Sequence, residues 1–130
     1  MKFALAVHGA PYSSQSAATA LRFARAALAA GHTIPRVFFY HDGVHSACAL
    51  AVPPQDEPSP QAGWVALAEQ HGIELAVCIA ASLKRGVVDA GEQHRYDLPA
   101  SNVHPAFTVV GLGQLLEAIM SSDRFVTFAA

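Results

Sequence analysis

Residues His71–Asp89 read HGIELAVCIAASLKRGVVD, and the fold follows from how this stretch divides. Gly72 stops whatever precedes it. Ile73–Ile79 is then a short apolar run of the kind that forms a strand buried on both faces. Ala80–Arg85 continues with good helix formers and no breaker, and ends at Gly86. Cys78 therefore falls at the carboxyl end of an expected parallel strand, one or two residues before a helix begins. In doubly wound α/β sheets that edge carries ligands and chemistry. A thiol there feels the positive end of a helix dipole and unpaired backbone N–H groups, both of which favour thiolate. Lys84 and Arg85, one turn further on, are candidates to stabilise the thiolate with positive charge. The competing reading is a small buried hydrophobe, since free cysteine is among the most buried residue types.

Working outward, Lys2–Val7 reads as a first buried strand and His8–Tyr12 as a turn punctuated by Gly9 and Pro11. Ser13 or Ser14 caps a helix running to about Ala30, with Ala17, Ala20, Leu21, Ala24 and Leu28 at helical spacing and Gly31 beyond its end. Ile34–Tyr40 is a second strand, His41–Gly43 a turn, and Val44–Leu50 a short helix. Val52–Pro60 (VPPQDEPSP) is an exposed loop. Gln61–His71 forms an amphipathic helix carrying Trp64, Leu67 and Ala68. After the Cys78 unit, Ala90–Arg95 makes a helical turn, Phe107–Val110 a strand, Gln114–Ser121 a helix and Arg124–Phe128 a closing strand. Strands alternating with helices at this spacing predict one α/β domain over residues 1–130. The expected architecture is a three-layer α/β/α sandwich around a mainly parallel sheet of about five strands.

The chain has 130 residues, 52% of them hydrophobic and only 14% charged, which is apolar for one domain. Either both sheet faces are covered, or another subunit covers some apolar surface. A net charge of −2 with scattered basic residues gives no electrostatic case for nucleic acid. The two cysteines, Cys48 and Cys78, make neither a CxxC pair nor a zinc cluster. So few cysteines and no charged leader point to free thiols in a reducing, cytoplasmic setting. No apolar run approaches the ~20 residues of a membrane helix, so no membrane partner is expected.

Other motifs carry less. HGAPYSSQ (His8–Gln15) has neither G-x-G-x-x-G nor G-x-x-x-x-G-K-[ST], which removes the fingerprint of a nucleotide cofactor or a flavodoxin-like binder, and no cofactor is expected. Ser13 and Ser14 can hold an anion but more often cap a helix. Gly111-x-Gly113 serves a turn. His41 and His45, four apart, can share a helix face, but no third ligand lies nearby, and no metal is expected. Asp56-Glu57 reads as a solvated loop, and Ser82 lacks a G-x-S-x-G context. Cys48, in the apolar run Ser46–Leu50, reads as buried packing.

Taken together, several segments resemble the DsrE-like sulfur-relay family, in its TusD and DsrE branch. They are MKFALAV at the start, PY-x-x-Q at Pro11–Gln15, FFYHDGV at Phe38–Val44, PPQDE at Pro53–Glu57, VCIAASLKRGVVD at Val77–Asp89, SNVHPAF at Ser101–Phe107 and GLGQLLEA at Gly111–Ala118. The resemblance implies a parallel-sheet α/β protein that joins two smaller paralogous subunits in a heterohexamer, a dimer of heterotrimers. It implies that Cys78 carries sulfur as a persulfide, taken from a small TusA-type carrier and passed to a TusE-type protein for 2-thiolation of tRNA wobble uridine. DsrE-like members hold the same relay position in dissimilatory sulfur oxidation, and a member without chemistry would act as an interaction subunit. Cys48 and the extra histidines depart from familiar members without touching the Cys78 motif. The chemistry agrees with the residues: an attacking thiol exchanges fastest when its pKa lies near ambient pH. A strand end at a helix start is also expected to leave the sulfur on the surface, within reach of another protein.

Overall fold

Lys2–Val7 (β1) buries its last four residues completely, and this strand lies inside the sheet rather than at its edge. The computed structural model describes residues Met1–Ala130. Thr33–Phe39 (β2), Glu74–Cys78 (β3), Phe107–Val110 (β4) and Arg124–Phe128 (β5) complete a sheet of order β4-β3-β2-β1-β5 in which every pair is parallel. The chain steps one strand at a time from β1 to β4, then returns across the sheet to place β5 beside β1. The topological switch therefore lies between β1 and β5, where the His8 N–H donates to the Phe128 carbonyl at 3.0 Å.

Gln15–Ala29 (α1) and Pro60–His71 (α2) pack against each other on one face. Gly63 is the close-approach point: a Cβ there would crowd Leu21 and Arg25 of α1. Ser14 caps α1, its hydroxyl accepting from the Ser16 N–H, and Ser59 caps α2 with Pro60 in the first turn. Beneath them Phe39, Trp64 and Phe107 meet edge to face at 5.4–5.5 Å, and Trp64 and Phe39 are fully buried. The opposite face carries residues of the other parity. Among them Ala4, Ala6 and Ala76 let Leu112–Ser121 (α5) approach closely beside Phe38. Arg36 of β2 fastens α5 by bonds to Glu117 and the Gln114 carbonyl (2.9 Å), while its other nitrogens bind Glu74 of β3. Burial opposes the Arg36 charge, but the hydrogen bonds and charges of Glu117 and Glu74 outweigh it and raise its pKa. The outer side of α5 leaves Leu112, Leu116 and Met120, spaced four apart, at 50%, 59% and 77% exposure.

Three local readings change. The expected helix Val44–Leu50 is instead a 3₁₀ segment, His41–Ala47, that starts directly after β2. Cys48 then bridges Val103, and the Ala47 carbonyl accepts from the His104 N–H (2.8 Å), so Cys48 is drawn into an isolated bridge and Ala49–Leu50 form a turn rather than a helix. Cys48 is half-buried rather than packed in the core, and its carbonyl accepts from the Gln61 amide. The last helix also begins at Leu112, with Gly111 as its N-cap, two residues before the expected start.

Candidate functional site

Register fixes what surrounds Cys78. Val7 pairs with Phe39, Phe39 with Val77, and Val77 with Val109. Cys78 itself pairs with Val110, and the same register continued one residue past the last β1–β2 and β2–β3 pairs aligns the His8 and Tyr40 backbones with it at the carboxyl ends of the strands. Cys78 has extended backbone angles and is the N-cap residue of Ile79–Lys84 (α3). It is 1% exposed and belongs to the main core. The expectation of a surface sulfur is thus not met: β3 is flanked by strands on both sides, and the core closes over its carboxyl end. With only six residues, α3 also aligns few peptide dipoles.

Arg85 does not stand free. Its Nε donates to Asp42 Oδ1 at 2.8 Å and its Nη1 to the Ala81 carbonyl at 3.1 Å, tying α3 to the 3₁₀ segment. The hydrogen bond and charge of Arg85 hold the Asp42 carboxyl below its usual range, with smaller help from His45 and His41. Lys84 is exposed and lines an open groove of about 540 Å³ with Leu83, Tyr96 and Leu98. The hydroxyl of Ser82, one turn after Cys78, is buried without a hydrogen-bond partner.

Sequence reasoning did not foresee a cluster of rings at the same carboxyl edge of the sheet. Tyr40 and His41 stack face to face, with ring centroids 4.2 Å apart and planes 7° from parallel. His8 meets His41 edge-on at 4.8 Å and Tyr40 at 5.8 Å. Burial, aided by the neighbouring His41, lowers the His8 pKa. His41 adopts a left-handed φ of 49°, which histidine tolerates better than most residues. Gly43 locks this geometry, because any Cβ there would collide with the Val7 carbonyl, which also accepts from the Tyr40 N–H at 2.9 Å. His41 meets His8, and no group of three metal-binding side chains forms. The signal was present in FFYHDGV, but its meaning needs the strand order. Ser14 spends its hydroxyl on the cap of α1 and on Ser16 Oγ (2.9 Å).

The DsrE/DsrF-like family model matches residues 1–128. The chain belongs to this family. It is 50% identical to the sulfurtransferase TusD of Serratia proteamaculans, over 98% of this chain and 99% of that protein. It is 49% identical to a DsrE protein of Allochromatium vinosum, over 98% of both chains. It is also 52% identical to a sulfurtransferase TusD homolog of Pseudomonas aeruginosa, over 98% and 97%. The crystal structure of the ychN protein of E. coli shares the fold at 18% identity, with a TM-score of 0.77 over 98% of this chain and 99% of that one. This DsrE-like chain is a sulfurtransferase of a sulfur relay. No helix is long and apolar enough to cross a membrane.

Proposed function

We propose that Cys78 is the sulfur-carrying residue, accepting sulfur as a persulfide from a small TusA-type carrier and passing it to a TusE-type acceptor. The observation that supports this is the position of Cys78, the last residue of β3 and the first of the turn into α3, in a chain of a sulfurtransferase family. In the accepting step the Cys78 thiolate attacks the outer sulfur of the donor persulfide. The new bond joins Cys78 Sγ to that sulfur, the donor S–S bond breaks, and the donor leaves as a thiolate that takes up a proton. Passing the sulfur on repeats the exchange, with the acceptor thiolate attacking the outer sulfur. The exchange needs no external oxidant. Because Cys78 is buried, the carrier must meet a locally opened carboxyl edge, and Arg85, through Asp42, acts on the segment that closes this edge rather than on the sulfur itself.

The relay ends in 2-thiolation of tRNA wobble uridine, in the cytoplasm, with the chain held beside two smaller paralogues in a heterohexamer. The exposed stripe Leu112–Leu116–Met120 on α5 supports an assembly of this kind. A second reading, the same persulfide step in sulfur oxidation, is favoured by the near-equal identity to the DsrE protein. Labelled sulfur from a loaded carrier tests the proposal: wild type takes it up and Cys78→Ser does not. Equal uptake by the two proteins overturns it.

A further inference from the structure

The rings of His8, Tyr40 and His41 make no side-chain hydrogen bond, and Tyr40 packs against the core with its ring 5.9 Å from that of Phe38. His41 is exposed, and His8 and Tyr40 are half-buried. The histidine rings that hydrogen-bond within the protein are His32 and His104, which leaves both imidazoles of this cluster free. Yet their arrangement is held firmly. The left-handed His41 backbone, the Gly43 contact with Val7, and the Gly43 N–H bond to the Tyr40 carbonyl (2.8 Å) fix the stack. Holding a non-glycine residue in that region needs support from its surroundings, and such outliers cluster at functional sites. Adjacent parallel strands lie about 4.8 Å apart, and the β2–β3 register, whose last pair is Phe39–Val77, continued by one residue sets the Tyr40 backbone beside that of Cys78, with His41 stacked on the Tyr40 ring.

We propose that the stacked Tyr40–His41 pair, backed by His8, is the base that holds the proton released by the Cys78 thiol. The inference rests on the reading of Cys78 as the sulfur carrier. The proton passes to an imidazole nitrogen, and the freed electron pair on sulfur forms the new S–S bond. The donor S–S bond breaks, and its departing thiolate recovers the proton from the imidazolium. Nothing is oxidised overall. One proton is held at a time, because two imidazolium rings at 4.8 Å repel each other. The other ionisable groups facing the cluster are the Asp42–Arg85 ion pair, joining the 3₁₀ segment to α3, and His45 one turn along the segment.

Thiolate absorbance followed against pH, as the difference from Cys78→Ser, isolates the ionisation of Cys78 from that of Cys48. His41→Asn keeps a residue tolerant of left-handed φ, and His8→Gln removes the second ring. Each folded variant should raise the thiol midpoint by about half to one unit, leaving roughly three- to tenfold less thiolate at neutral pH. Coupling is reciprocal. In the wild type an imidazole proton signal of His41 or His8 should therefore show a second inflection at the thiol midpoint, and Cys78→Ser should abolish it. This second measurement decides alone if His41→Asn fails to fold. Unmoved midpoints in folded variants, or no second inflection, overturn the inference. Sulfur loading of the same wild-type sample separates the two readings. No sulfur on Cys78 defeats the carrier role, whereas normal loading with unmoved titrations defeats only the proton-holding role.

Discussion

Gly43→Ala isolates the contact that holds the 3₁₀ segment on the sheet. Gly43 is not in the left-handed region, so the added methyl acts by collision alone. It meets the Val7 carbonyl, and Val7 belongs to a strand paired on both sides, which resists displacement. The segment must lift instead. Lifting strains the Gln61 bonds to the Ser46 and Cys48 carbonyls (2.9 Å each) and exposes part of Val44 and Ala47, both fully buried. Overpacking costs about 1–3 kcal/mol, and complete exposure of a valine side chain about 1.5–3 kcal/mol. We therefore expect a loss of about 2–4 kcal/mol, which lowers a urea midpoint by roughly 1–2 M. Trp64, the single tryptophan and fully buried, reports the transition by fluorescence. Gly91→Ala is the control: it lies in the helix Ala90–Tyr96 (α4), a Cβ there makes only an ordinary contact, and it should gain up to about 1 kcal/mol. A Gly43→Ala midpoint within about 0.2 M of wild type, near the resolution of such curves, would refute the steric reasoning.

Cys48→Ala should cost about 1 kcal/mol or less in chemical denaturation and leave sulfur uptake intact; uptake falling as in Cys78→Ser would require a two-thiol mechanism. Because Arg85 lowers the folded-state pKa of Asp42, that pair's contribution is complete above the ordinary carboxylate range and fades as pH falls through the lowered value. Asp42→Asn should thus flatten the acid limb of the urea midpoint against pH, and an unchanged limb would contradict the pairing. Leu116→Glu, on the exposed stripe of α5, should shift stability by no more than about 0.5 kcal/mol yet weaken assembly with co-expressed paralogues in light scattering. An intact complex would remove that stripe from the interface.

Elements with strong local signals were legible. The runs Lys2–Val7, Phe107–Val110 and Arg124–Phe128 fall at their expected boundaries, and β3 with α3 differs from the His71–Asp89 reading by one or two residues. The 3₁₀ segment was not legible, because Cys48 is drawn to Val103 by a contact 55 positions away, which no local periodicity records. Arg85 donates to Asp42 across 43 positions, a partner that no reading of the Cys78–Arg85 stretch alone supplies. The His8–Tyr40–Cys78 row depends on strand order, which periodicity does not encode. Burial of Cys78 was the competing reading of the same apolar run, and its place in the main core decides for that reading over a surface sulfur.

The measurement closest to the central claim is peptide mass spectrometry of the wild-type chain after incubation with a persulfide-loaded carrier. The peptide containing Cys78 should gain the mass of one sulfur, and reductant should remove it, while the peptide containing Cys48 stays unmodified. Sulfur on Cys48 with none on Cys78 would contradict the account.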